Sequence, residues 1–130
     1  GVLIGTALQA TPEARTASTH KDKLVEMVDD ETIVSRCYTG KPSRIIRNAF
    51  VDAWRGHEPE ILPMPEQWHL VAPLVAPAKA KGSLEIANWP TGQGAVLLRE
   101  IQPAVDVVRG MAADAAQIIE SAHRYLSNGA

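Results

Sequence analysis

The sequence predicts an α/β fold that is mainly helical, and three observations carry that expectation. The chain opens on apolar Val2-Leu3-Ile4 running into Gly5-Thr6, the build of a short buried strand that ends in a loop. Its middle alternates turn residues with apolar positions at helical spacing. Its end carries Val105, Val108, Ala112, Ala115, Ile119, Ala122 and Leu126, a seam of alternating three- and four-residue steps typical of one long amphipathic helix.

A chain of 130 residues is long enough for one compact domain. Its net charge of −2, with acids and bases intermixed, provides no basic stripe for nucleic acid. No apolar run approaches the roughly 20 residues that span a bilayer, and no signal peptide pattern precedes the first strand. The single cysteine, Cys37, can form no internal disulfide and no zinc site by itself, so a reducing, cytoplasmic setting is the default. The chain begins at Gly1, directly in an apolar strand whose backbone groups need partners, and this reads as the C-terminal piece of a longer protein.

In chain order, the exit from the first strand is a candidate phosphate cradle. Gly5 holds no ligand away, Thr6 adds a hydroxyl, and the backbone N–H groups that follow can converge on an oxyanion. A tight strand exit with no ligand explains the same residues. Thr11, Pro12 and Glu13 read as a helix start, with Thr11 as N-cap and Pro12 in the first turn. Leu24, Met27 and Val28 share a helical face over residues 21–28, and Asp29-Asp30-Glu31 ends that helix. Residues 32–38 are β-branched and aromatic and predict a strand; Thr39-Gly40-Lys41-Pro42 turns the chain.

Residues 43–54 predict a helix, because Ile46, Ala49, Phe50, Ala53 and Trp54 recur at helical spacing, and Gly56 should end it. His57-Glu58-Pro59-Glu60 reads as a polar loop. Five prolines between positions 59 and 77 argue against regular structure, although a helix can start at Pro65 with Trp68 and Leu70 facing inward. Residues 78–88 read as small and polar, with Gly82-Ser83 as a loop. Trp89-Pro90-Thr91-Gly92-Gln93-Gly94 then lets the backbone approach a flat or charged group while Gln93 offers an acceptor and two donors. A glycine-rich helix entry is the alternative, with residues 95–98 as the first turns of an apolar helix. Pro103 starts the last helix, Asn128-Gly129 stops it, and its seam either covers this protein's own core or pairs two copies.

Several kinds of site find no support. His20, His57, His69 and His123 lie in separate segments without metal-ligand spacing, so no metal site is expected. Cys37 sits mid-strand without a nucleophile motif and reads as a buried structural thiol. GxSxG, Walker and GxGxxG patterns are absent.

Four motifs in order are more informative than any one alone. Gly5-Thr6-Ala7-Leu8-Gln9-Ala10-Thr11-Pro12-Glu13, His20-Lys21, Thr39-Gly40-Lys41-Pro42-Ser43-Arg44-Ile45-Ile46-Arg47-Asn48 and Trp89-Pro90-Thr91-Gly92-Gln93-Gly94-Ala95 resemble the C-terminal part of the nitronate monooxygenase family, formerly the 2-nitropropane dioxygenases. The resemblance implies an FMN enzyme that oxidises alkyl nitronates with dioxygen. It implies the C-terminal fragment of a (β/α)8 barrel, contributing a late strand, a mainly helical added segment and a long C-terminal helix. On that division residues 1–15 hold the last barrel strand and phosphate loop, 16–90 the added segment, and 91–130 helices packed on the barrel. The remaining N-terminal barrel segment is then the chain's partner, with nitronate and dioxygen as small-molecule substrates and neither nucleic acid nor membrane involved.

The family's Met-Gly-Thr-Arg-Phe phosphate loop falls on Ile4-Gly5-Thr6-Ala7-Leu8, so Gly5 and Thr6 match and Ala7 replaces the arginine. Its Ala-Gly-Gln stretch falls on Thr91-Gly92-Gln93, which places Gly92 and Gln93 on the flavin or substrate side. Arg44 and Asn48 match a further pattern with Lys41 in place of its first arginine, and they read as structural. The family's catalytic base is an upstream histidine whose context no residue here matches, so no catalytic residue is assigned; His20 reads as structural. Barrels commonly bind phosphate in the loops after strands seven and eight, and a full barrel needs about 250 residues, which agrees with this placement. The related flavin-dependent enoyl-ACP reductases share the loop and the Gly-Gln motif. A non-enzymatic helical interaction domain, in which both motifs are only turns, is the reading from a different class.

Overall fold

The structure, a computed structural model, describes residues 2, 4–28 and 31–127. Its elements in order are α1 (Gly5–Gln9), α2 (Ser18–Glu26), β1 (Thr32–Ser35), β2 (Ser43–Ile46), α3 (Ala49–Ala53), α4 (Glu66–Ala80) and α5 (Ala104–Ser127), with 3₁₀ turns at Glu58–Glu60 and Gln93–Leu97. β1 and β2 form an antiparallel hairpin in which Thr32 faces Ile46 and Ser35 faces Ser43.

The hairpin divides the interior. Successive strand side chains point to opposite faces, so Ile45 and Ile46, both buried, enter different clusters. Ile46 packs with Ala10, Leu24, Met27, Ala87, Trp89 and Ala95. Ile45 packs with Cys37, Tyr38, Val51, Val71 and Val75. This corrects the expected helix over residues 43–54: two adjacent buried isoleucines need two opposed faces, which a strand supplies and one helical face does not. The helix survives only as α3. There the Asn48 side chain accepts from Val51 N–H at 3.0 Å as N-cap and donates through Nδ2 to the Leu84 carbonyl at 3.0 Å.

The start of the chain also departs from expectation. Residues 1 and 3 of the expected strand lie outside the described residues, Val2 and Ile4 carry no strand pairing, and Gly5–Gln9 is helical. Thr11 begins no helix. Its hydroxyl and its N–H both donate to the Leu8 carbonyl, at 3.0 and 3.4 Å, so it closes α1 and the chain turns through Pro12. Within α2, Leu24 and the following Met27 are buried as expected, but Val28 is 67% exposed. The Glu31 carboxylate accepts from Val28 N–H at 2.8 Å and pairs with Lys23, which closes that helix end. The expected break at Asp29-Asp30 lies outside the described residues.

The strand expected over 32–38 stops at Ser35, and Arg36 to Gly40 form the turn. Gly40 has φ +79°, and a Cβ there would stand 2.5 Å from the Leu62 carbonyl oxygen, so only glycine fits. α4 contains Pro73 and Pro77 yet runs for 15 residues. It is anchored by three buried side chains, Gln67, Val71 and Val75; Gln67 accepts from Leu62 N–H at 3.0 Å and donates to the Cys37 carbonyl at 2.6 Å. Trp68 and Leu70, expected to face inward, are 37% and 59% exposed, because that anchored face lies on the other side of the helix. The loop expected at Gly82-Ser83 is where the chain leaves α4. Gly82 N–H and Ser83 N–H bond back to Lys79 and Ala78, with Gly82 at φ +69°, the closing pattern of a Schellman motif.

Residues 95–98, expected as an apolar helix, belong to or follow the 3₁₀ turn. α5 has the expected length and start, and its expected stop at Asn128-Gly129 lies outside the described residues. Its packed face is a correction. Val107 is buried, while Val105, Val108, Ile118 and Ile119 of the apolar face are about half exposed or more. Glu13, expected in the first turn of a preceding helix, instead accepts from Ala104 N–H at 3.2 Å and so sits at the positive end of α5. No described helix is long and apolar enough to cross a membrane.

Candidate functional site

A groove of about 810 Å³ joins both glycine motifs. Ile4, Gly5, Thr6 and Ala7 at the start of α1 form one wall, Gly92 and Gly94 a second, and Asp106, Val107, Gly110, Met111 and Asp114 of α5 a third. The link between the first two walls is direct. Gly92 N–H donates to Thr6 Oγ1 at 2.9 Å across 86 positions of sequence. A Cβ at Gly92 would stand 3.4 Å from that oxygen, a tight contact that explains the glycine. At Gly5 and Gly94 an added Cβ meets nothing within 4 Å, so both leave open space in the groove. Gln93 is exposed and does not line it.

The donors that α1 could offer the groove are backbone amides and one hydroxyl. The first N–H groups of an α-helix have no acceptor within the helix, and α1 has no side-chain cap at Ile4. Thr6 Oγ1 accepts from Gly92, which leaves its own proton free to donate. Among the described residues that line the groove there is no basic side chain, while Glu100, Asp106 and Asp114 supply carboxylates. Any negative charge held at the α1 wall is therefore met by amides and one hydroxyl alone.

Beneath the second wall lies a buried polar cluster. Thr91 and His20 are each 2% exposed, with His20 Nε2 3.3 Å from Thr91 Oγ1. The imidazole packs on Trp89 with ring centroids 4.7 Å apart and planes tilted by 31°, and Lys79 Nζ lies 5.3 Å from the same indole. Burial pulls the His20 pKa down to about 4, and the nearby Lys79 charge adds to the effect. Cys37 is buried, its thiol pushed up by desolvation, in keeping with an inert structural sulfur. Among the described residues no group of three His, Cys, Asp or Glu side chains converges to hold a metal ion.

The sequence reading singled out Gly5, Thr6, Gly92 and Gln93, and the structure brings the first three together. It missed the third wall. The signal was present, because residues 107, 110, 111 and 114 follow the i, i+3, i+4, i+7 spacing of one helical face, but the stronger apolar seam beside them drew the assignment.

Comparison with known proteins places this chain. The sequence profile of the family described as nitronate monooxygenase matches residues 1–114. A protein of Mycobacterium tuberculosis that carries the name of a monooxygenase is 36% identical over 118 residues, 85% of this chain and 32% of that protein. A Staphylococcus saprophyticus protein that carries the name of a nitronate monooxygenase is 29% identical over 101 residues, 78% of this chain and 28% of its own length. Among solved structures, a nitroalkane oxidase from Streptomyces ansochromogenes superimposes with a TM-score of 0.76 at 32% identity, over 91% of this chain and 33% of that one. FabK from Thermotoga maritima superimposes with a TM-score of 0.77 at 24% identity, over 93% of this chain and 38% of that one, a likeness of fold alone. The chain thus spans about a third of the length of these relatives.

Proposed function

This chain belongs to the nitronate monooxygenase family, and from that we propose that it supplies the flavin phosphate loop and helical cap of an FMN-dependent oxidoreductase acting on alkyl nitronates with dioxygen. The rest of the (β/α)8 barrel comes from an N-terminal segment outside residues 1–130, which with this chain completes the flavin pocket. The observation that carries the reading is the Gly92–Thr6 hydrogen bond, which ties both family motifs into one groove.

The residues present fit the phosphate end of FMN. Gly5 leaves room for close approach and Thr6 retains a proton to donate; the first N–H groups of a helix, free of intrahelical acceptors, would add donors at that wall. Bound FMN supplies the redox chemistry. Gly5 and Thr6 would hold its phosphate, Gly92 would keep the second wall close, and Gln93, exposed beside the groove rather than lining it, would offer its amide to substrate or flavin from the cap. No residue of this chain is assigned as the catalytic base.

The test is made on the full-length gene product. It should purify with a flavin absorption band and consume dioxygen with an alkyl nitronate. Thr6→Val should weaken FMN binding about tenfold, the effect of losing one hydrogen bond to a charged group, and Thr6→Ser should restore it. A full-length protein that neither carries nor takes up flavin would overturn the reading. Oxidation of NAD(P)H without nitronate turnover would assign the same groove to a flavin-dependent reductase instead.

A further inference from the structure

His20 is a buried titratable group packed beneath the stretch that leads into Gly92, and the hydrogen bonds around it assign its tautomer. Thr91 Oγ1 donates to the Trp89 carbonyl at 3.1 Å. A hydroxyl has one proton, so toward His20 Nε2 at 3.3 Å the same oxygen is an acceptor and the imidazole carries its proton on Nε2. Nδ1 is then a bare acceptor, buried and without a partner among the described residues. The opposite tautomer would bury an unpaired N–H donor, the rarer and costlier arrangement. An imidazolium would do so beside Lys79, the charged group that faces it from α4.

The rest of the wall hangs on the same residue. Thr91 N–H donates to the Arg44 carbonyl at 3.0 Å, and Ile46 N–H donates to the Trp89 carbonyl at 3.2 Å, so one side of the 89–91 stretch is fixed to β2. His20 fixes the other side to α2. Gly92, the next residue in the chain, donates its N–H to Thr6.

We propose that His20 is a positioning residue: its neutral ring, donating from Nε2 to Thr91, sets the turn that presents Gly92 to Thr6 and carries Gln93 at the groove's edge. The effect on flavin or substrate rests on the function proposed above, whereas the effect on the wall does not.

Hydrogen–deuterium exchange of the full-length protein separates the two. His20→Leu should raise exchange of the Gly92 amide about tenfold with β2 unchanged, since local opening is released without global unfolding. His20→Gln, which keeps an N–H donor, should restore protection. In the flavin-loaded protein His20→Leu should also shift the visible flavin band and raise KM more than it lowers kcat, again with rescue by His20→Gln. If His20→Leu fails to fold, Thr91→Ala removes the acceptor and should reproduce the exchange signature. Equal behaviour of the Leu and Gln variants, or wild-type exchange at Gly92 in a protein that merely melts lower, overturns the proposal. A wild type without flavin whose Gly92 protection depends on His20 overturns the flavin reading and supports the positioning role.

Discussion

The two long helices invert their sequence patterns. α4 is apolar nearly all round and interrupted by two prolines, yet Gln67, Val71 and Val75 are fully packed against the hairpin and its turn. α5 is sharply two-faced, yet among its described residues only Val107 is buried, and Ile118 and Ile119 are 67% and 70% exposed. An apolar stripe records a face that prefers cover and is silent about which surface supplies it. Packing against a specific neighbour is decided by shape and by buried hydrogen bonds, and there α4 has Gln67, while α5 has nothing comparable among its described residues.

The contrast is broken or sharpened most strongly by placing a charge on each helix. Val75→Asp should abolish the cooperative melt of the 130-residue chain, because an unpaired carboxylate in that cluster costs several kcal/mol. Ile119→Asp should change its stability by no more than about 0.5 kcal/mol, the usual range for exposed positions. In the full-length protein Ile119→Asp should become severely destabilising, since the proposed barrel covers that stripe. Equal sensitivity of the two sites in the short chain would mean that α5 is covered already.

His20 gives the next effect, on the packed side. In the unfolded chain it titrates near 6.5 and in the fold at about 4. Above 6.5 both states are neutral and stability is complete. Between 6.5 and 4 the unfolded chain takes a proton that the fold refuses, so stability falls with pH. The full loss is roughly 3 kcal/mol, reached below about 4. Urea unfolding across that range should show the fall in wild type and a flatter profile in His20→Leu; parallel profiles would refute the assignment. Asn48→Ala should cost about 2 kcal/mol, because it removes the α3 cap and leaves the Leu84 carbonyl short of a donor. A change below 0.5 kcal/mol by urea titration would contradict that network.

What the sequence made legible follows the same division between local and long-range causes. Gly5-Thr6 and Gly92 were recognisable because glycine next to a polar donor is a local statement about backbone approach. Their meeting across 86 positions was not, since nothing near Thr6 says that its acceptor role is taken by Gly92. Residues 43–54 show the reverse failure. The spacing of Ile46, Ala49, Phe50, Ala53 and Trp54 fits a helix, and only the existence of two clusters on opposite sides of β2 turns Ile45-Ile46 into a strand. Glu13 was placed correctly at the positive end of a helix dipole, but the helix is α5, 91 positions away.

That contact provides the smallest test, and it decides how α5 is held. Glu13 accepts from its own backbone N–H and from Ala104 N–H, and both bonds keep its carboxyl below the usual range. A group whose folded pKa is depressed contributes above its unfolded value and loses that contribution as pH falls through the folded one. The anchor of α5 should therefore be intact at neutral pH and loosen only in the acid range, below the ordinary carboxylate value of 4.5. Glu13→Gln should reproduce the acid state at neutral pH by removing the charge that complements the helix end. Amide exchange in the first turn of α5 should rise in that variant while α4 stays protected, because the two helices share no buried anchor. If α5 exchanges no faster in Glu13→Gln, the groove contact through Val107 alone holds the helix, and its third wall is firmer than the exposed stripe implies.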